Sequence, residues 1–156
     1  MKTLPIVWQR LVISGETCPR CAGTGNEVER ACQQLRQQLM PMGIEPVLET
    51  REIDEAAFRA KPSESNRIWI AGRPMEEWVN AAVGSSPCCS VCGDNECRTV
   101  DVGESSYEVV PVELLVKAGL IAALTLNTGA ASAPDPQPGA GPACARPAGL
   151  RGQATR

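Results

Sequence analysis

The sequence predicts a single α/β domain with one central mixed sheet flanked by helices, and three observations carry that prediction. A chain of 156 residues suffices for one apolar core and is short for two. Strand-like and helix-like patterns alternate over residues 1–124 in the order βαβαβαββα. A Cys-x-x-Cys pair, Cys18 and Cys21, falls at the junction between the first strand and the first helix.

The first strand is read in LPIVWQRLVI, residues 4–13, which is rich in β-branched and aromatic residues and alternates loosely before Ser14-Gly15. Two glycines in AGTGN, after Cys21, argue against helix there. The first helix is therefore expected to begin beyond them, with Val28, Ala31, Cys32, Leu35, Leu39 and Met42 at helical spacing. Thr24 with Glu27 and Asn26 with Glu29 have the spacing of capping pairs, and Gly43 marks the stop. IEPVLETREI, residues 44–53, reads as a second strand, with Pro46 confining it to an edge or to the strand's start. DEAAFRA is a short capped helix, and RIWIAG (67–72) a compact strand. PMEEWVNAAV opens on Pro74 as a third helix that Gly84 breaks. A cysteine-rich insertion, residues 85–97, follows; then RTVDV and YEVVP flank GESS as a β-hairpin, and Pro111 opens the last helix, PVELLVKAGLIAALTL. From Thr125 to Arg156 the composition turns to Ala, Pro and Gly. Such a segment cannot offset its ordering entropy and is expected to be a disordered tail, with Cys144 inside it.

Composition excludes several classes of function. No apolar run approaches the roughly 18 residues of a membrane span, and MKTLPIVWQR does not make a signal peptide, so a cytoplasmic protein with no membrane partner is expected. In a reducing compartment eight cysteines point to catalysis or metal binding rather than to structural disulfides. The net charge is -3, and no basic stripe interleaves with aromatics, which argues against nucleic acid as a partner. The chain has no His, so Ser-His and Cys-His pairs and imidazole ligands are excluded.

The chemistry is left to the cysteines. Cys18 and Cys21, in a βαβ context, have the setting of a thioredoxin-like redox motif, in which Cys18 attacks and Cys21 resolves. Attack requires a thiolate, which the charge of Arg20 is expected to favour, while Pro19 stiffens the turn. Cys88, Cys89, Cys92 and Cys97 form a second group. The spacing of Cys89 and Cys92 suits zinc or an iron-sulfur cluster, Cys88 and Cys97 can complete four ligands, and all-thiolate sites also suit soft ions such as Cu(I), mercury or trivalent arsenic. Adjacent Cys88 and Cys89 cannot easily reach one ion together, so one of them should face elsewhere. Asp94 and Glu96 read as solvated turn acids, Cys32 as an inert core thiol, and Trp8, Trp69 and Trp78 as core and lid packing.

The stretches CPRCAGTG, NRIWIAGRPMEEWV, SPCCSVCGDNECRTV and YEVVPVELLVKAGLIAA, within residues 4–123, resemble an uncharacterised group of small bacterial thioredoxin-like proteins known as a domain of unknown function. The resemblance implies a thioredoxin-like fold with two cysteine groups and no established reaction. Asn66 stands where ordinary thioredoxins and glutaredoxins carry a cis-proline, a departure that weakens an ordinary disulfide-exchange role. Three readings follow: a thiol-disulfide oxidoreductase in which the second group relays electrons to a redox partner protein; a module that binds zinc, an iron-sulfur cluster or a soft metal ion; and an interaction domain whose zinc only orders a loop. The expected strand directions place Cys88–Cys97 at the same end of the sheet as Cys18 and Cys21.

Overall fold

Leu4, Ile6 and Trp8 turn inward along β1 (Lys2–Leu11), the alternation that gives a strand one buried face, and Leu11 is buried at its end. The computed structural model describes residues 1–88, 92–93 and 95–129. β1 is central in a four-stranded mixed sheet of order β2-β1-β3-β4. β2 (Ile44–Ile53) runs parallel to it over the full register from Lys2↔Ile44 to Leu11↔Ile53. β3 (Arg67–Ile70) and β4 (Arg73–Pro74) add successive antiparallel pairings on the other side. Pro46 is tolerated because β2 is an edge strand of this sheet.

Two helices, α1 (Pro19–Leu39) and α4 (Val112–Thr128), pack against each other and against the sheet. Their approach is close at Gly119, where a Cβ would lie 2.5 Å from Leu35 Cδ1. α2 (Glu55–Ala60) is capped by Asp54, whose carboxylate accepts from the Ala57 amide at 2.8 Å, and it buries Phe58. α4 runs through Thr128 to a left-handed Gly129, so Thr125–Thr128 belong to the helix and not to the expected tail. Residues 130–156 of that tail, with Cys144, lie outside the described residues.

Two expectations are corrected. α1 begins directly after Cys18, with Pro19 in its first turn, and the glycines lie inside it. They are there for packing: a Cβ on Gly25 would lie 2.5 Å from Trp8 Cη2, and one on Gly23 3.0 Å from Val109 Cγ2. Thr24, expected as a cap, is buried within the helix.

The second correction concerns the single sheet. α3 (Met75–Trp78) is one turn, and left-handed Asn80 (φ 54°) follows it. The chain then forms β5 (Ala82–Pro87), which pairs with β6 (Glu96–Val102), itself paired with β7 (Ser105–Tyr107). The hairpin thus belongs to a separate three-stranded sheet, and the ends of the 85–97 insertion are strand rather than loop. Gly84 permits this pairing, since a Cβ there would meet Asp101 Oδ2 at 2.4 Å and Thr99 Oγ1 at 2.6 Å. No helix among the described residues is long and apolar enough to cross a membrane.

Candidate functional site

Cys18 is the N-cap of α1, in extended conformation (φ -72°, ψ 158°), and Pro19 fixes the turn that follows. The first turn of α1 contains no acid, so no carboxylate stands beside the Cys18 sulfur at the positive end of the helix. Cys21 lies one turn further on. Both are deeply buried, at 1 % and 2 % exposure, so an attack by Cys18 on an outside partner needs the cover over it to move.

The cover is the β5–β6 hairpin. It brings Cys88 and Cys92 to Cys18, so that the three sulfurs lie within 4.8 Å of one another. Cys88 is bonded to Cys97 in a disulfide, with their Cα atoms 5.3 Å apart, as the antiparallel pairing of β5 and β6 near the hairpin's end allows. The two cysteine groups are thus one cluster, at one end of the sheet. The expected four-thiolate set of Cys88, Cys89, Cys92 and Cys97 does not form in this state, because Cys88 and Cys97 are bonded to each other. Cys89 and Asp94 lie outside the described residues. Glu96 is exposed and accepts from Ser85 Oγ at 2.8 Å.

The Cys18 thiol is pulled down from an ordinary 9.0 to about 5. The Cys21 thiol, which donates to the Cys18 sulfur, does most of this. Burial opposes the shift, while the main-chain amides of Cys21 and Arg20 and the Cys92 side chain assist it. Cys21 is pushed up, first because it holds that hydrogen bond and then by burial and by the neighbouring charge. Their hydrogen bond thus favours the charged form of Cys18 and the protonated form of Cys21. Cys32 is buried on α1, where burial raises its thiol, as expected of an inert core cysteine.

Arg20 was expected to act on Cys18 through its charge; its guanidinium instead serves the hairpin. Nη1 donates to Pro87 O at 3.1 Å and Ser86 O at 3.4 Å, and Nη2 to Arg98 O at 3.1 Å, so one side chain spans both strands that carry the disulfide. Arg98 fastens the hairpin from the other side, donating to Ser63 O at 2.9 Å and pairing with buried Glu76 of α3. A third tie lies under α1. Trp8 Nε1 donates to Asn66 Oδ1 at 3.1 Å, Asn66 Nδ2 to Thr24 Oγ1 at 2.9 Å, and the Val110 amide to the same hydroxyl at 3.2 Å. Asn66 holds a left-handed backbone (φ 55°), which asparagine tolerates better than most residues.

Sequence reasoning missed the Arg98–Glu76 pair and the Thr24–Asn66 network, since a charged residue in a strand reads as a surface residue. The signal present was position: Arg98 follows Cys97 directly. Trp78 packs as expected, its Nε1 donating to Ile70 O at 2.8 Å, while Trp69 carries the Arg67 guanidinium 4.6 Å from its ring centre.

The fold and site define a mixed α/β protein, two sheets flanked by helices, with a buried cysteine cluster able to hold a metal ion. The chain belongs to the family described as a domain of unknown function (DUF2703), whose model matches residues 4–119. It is 45 % identical over 112 residues to an uncharacterized protein of Archaeoglobus fulgidus, covering 72 % of this chain and 82 % of that one. The relative is archaeal, where the resemblance pointed to bacteria. No solved structure matches the chain.

Proposed function

We propose that the protein is a thiol-disulfide redox relay of thioredoxin-like type, in which the Cys18/Cys21 dithiol exchanges electrons with the Cys88–Cys97 disulfide. The observation that carries this reading is the Cys18 sulfur within 4.8 Å of the Cys88 sulfur, which is already half of a disulfide. The parallel β1 and β2 joined by α1, antiparallel β3, and a Cys-x-x-Cys at the start of α1 support the thioredoxin-like assignment.

The Cys18 thiolate attacks the Cys88 sulfur, a Cys18–Cys88 bond forms, and Cys97 leaves with the electron pair of the broken bond. Cys21 then gives up its proton and attacks Cys18, which releases Cys88. Two electrons pass to the Cys88/Cys97 pair; the proton of Cys21 and the negative charge of Cys18 end there too. Cys88 is only half-buried while Cys18 and Cys21 are covered, so the hairpin is the face on which a redox partner protein in a reducing, cytoplasmic setting would act.

Cys21→Ser tests the relay by blocking resolution. Acid quenching and peptide mapping of this variant should recover Cys18 linked to Cys88. Mild oxidation of reduced wild-type protein should give Cys18–Cys21 alongside Cys88–Cys97. Maps in which Cys18 is never linked to Cys88 or Cys21 would overturn the relay.

A second reading, a metal-binding module, is supported by the same three sulfurs: once Cys88 is reduced, a set of thiolates without imidazole or carboxylate suits zinc, an iron-sulfur cluster or a softer ion. Zinc and iron-sulfur clusters call for a fourth ligand. Anaerobic purification followed by metal and sulfide analysis tests it.

A further inference from the structure

The metal set and the disulfide share an atom. Cys88 Sγ is one of the three clustered sulfurs, and it is also bonded to Cys97. A disulfide sulfur has no thiolate to give, so the oxidised hairpin offers an ion only the sulfurs of Cys18 and Cys92 from this set. If Cys18 and Cys21 pass their electrons to Cys88 and Cys97, the new disulfide withdraws Cys18 instead. Either position of the disulfide leaves the set one ligand short.

We propose that Cys18, Cys88 and Cys92 form a binding site for a thiophilic ion of three-fold sulfur coordination, the class of trivalent arsenic, and that the site is complete only when both cysteine pairs are reduced. The proposal rests on the metal-binding reading above and adds its ligand set, its ion class and its control by redox state. Three sulfurs around one ion at about 2.3 Å, the length of a zinc–thiolate bond, would stand about 4 Å apart. Sulfurs already within 4.8 Å reach that arrangement by small side-chain rotations. The set joins residues from both sequence groups: Cys18 from the start of α1, and Cys88 and Cys92 from the hairpin that covers it. An ion there would therefore also pin the hairpin to α1.

The gate opens by reduction with an external dithiol. Two electrons and two protons pass to the protein disulfide, which becomes two thiols as the reductant becomes a disulfide. Uncharged As(OH)3 then condenses with the three thiols: three As–S bonds form, three waters leave, and no oxidation state changes.

Arsenite binding to the full chain tests this, by native mass spectrometry and by protection of thiols from alkylation. Protein fully reduced by a phosphine, with the reductant removed anaerobically, should bind one arsenic and protect Cys18, Cys88 and Cys92. Protein carrying Cys88–Cys97 should bind more than about 100-fold more weakly, beyond the 10–100-fold typical for loss of an outer-shell partner. Cys18→Ser and Cys92→Ser should each weaken binding to the reduced protein to a similar extent, and Cys32→Ser should leave it unchanged. Cys97→Ser, reduced by the phosphine in the same way, should bind as the reduced wild type does, because Cys97 is not one of the three ligands; this variant keeps all three should a ligand replacement fail to fold.

Equal affinity for oxidised and reduced protein would overturn the gate while leaving metal binding standing. No arsenic adduct on the folded, reduced protein would overturn this site, while the metal and sulfide analysis judges the metal reading itself; an adduct indifferent to Cys18→Ser would overturn the ligand set. The internal relay is judged separately, since chemical reduction supplies the electrons here.

Discussion

Arg20 Nη1 donates to the main-chain oxygen of Pro87 at 3.1 Å, one residue before Cys88, while Nη2 of the same guanidinium donates to Arg98 O, one residue after Cys97, at 3.1 Å. The residue inside the Cys-x-x-Cys motif thus grips both strands beside the disulfide that faces it. A lysine carries the charge but lacks the planar fork needed to reach both strands. Arg20→Lys and Arg20→Gln should therefore both loosen the hairpin, with about 1.5–3 kcal/mol lost per charged hydrogen bond removed. Cys18 alkylation under native conditions should rise about tenfold or more, because the hairpin is what covers it, whereas Cys32 should follow only the change in global stability. Equal acceleration at Cys18 and Cys32 would show that Arg20 supports the whole fold and not the cover.

A pH titration checks the electrostatics of the pair. The Cys18 thiol lies at about 5 instead of 9.0, held down first by the Cys21 hydrogen bond, so its charged form is favoured by folding. For such a depressed acid the stabilisation is fully present above the unfolded value of 9.0 and is lost as pH falls through about 5. The ultraviolet thiolate absorbance of the reduced protein should accordingly contain one component that persists from pH 8 to 6 and disappears around pH 5. Cys18→Ser should remove that component. Cys21→Ser should raise its midpoint if the hydroxyl donates less strongly than the thiol. A wild-type signal that vanishes near pH 9 would contradict the arrangement.

Periodicity made much of this fold legible. Leu4, Ile6 and Trp8 marked β1, Asp54 marked the cap of α2, and Pro111 marked the start of α4, because each signal is local and unopposed. The start of α1 was hidden because Gly23 and Gly25 look like breakers, although their purpose is to admit Val109 and the Trp8 ring, which only tertiary structure shows. β5 was hidden because Ala82–Pro87 has small residues and a burial pattern with no buried position. The cysteine cluster was legible as a meeting of two groups, since strand directions constrain which end each occupies; which sulfurs pair within it was not, since Cys88, Cys89, Cys92 and Cys97 are all close in sequence and only the register Ser86↔Cys97 sets Cys88 beside Cys97.

The Arg98–Glu76 pair is buried on both sides, at 6 % side-chain exposure each, and burial lowers the Arg98 guanidinium to about 10. Removing one member of such a pair strands the other charge, at a cost of about 3–5 kcal/mol. Glu76→Gln should therefore destabilise the protein strongly to urea and release the hairpin first, visible as fast hydrogen exchange in β6 before β1. The double replacement Glu76→Leu with Arg98→Met, apolar and of similar size, should recover most of the loss. Failure to recover would mean that the Arg98 bond to Ser63 O, also lost, carries the larger share.

Gly25→Ala separates helix propensity from packing. Alanine in a helix interior is favoured over glycine by about 1 kcal/mol, so on local grounds the change should stabilise α1. The added Cβ would, however, lie 2.5 Å from Trp8 Cη2 and 2.9 Å from Cζ3. The ring cannot turn aside freely, because its Nε1 is committed to Asn66 Oδ1 at 3.1 Å and Asn66 in turn to Thr24. Overpacking costs about 1–3 kcal/mol, and breaking the indole hydrogen bond to relieve it about 1 kcal/mol more. The net expectation is a loss of about 1–3 kcal/mol, measured by urea denaturation, with Trp8 fluorescence shifted as the ring moves. Gly23→Ala is the control: its Cβ would meet the Val109 side chain at 3.0 Å, and Val109 is partly exposed and can yield. That variant should be neutral or slightly stabilised. A Gly25→Ala protein as stable as Gly23→Ala would mean that Trp8 is not fixed by Asn66, and the buried tie beneath the cysteine site would then have to be abandoned.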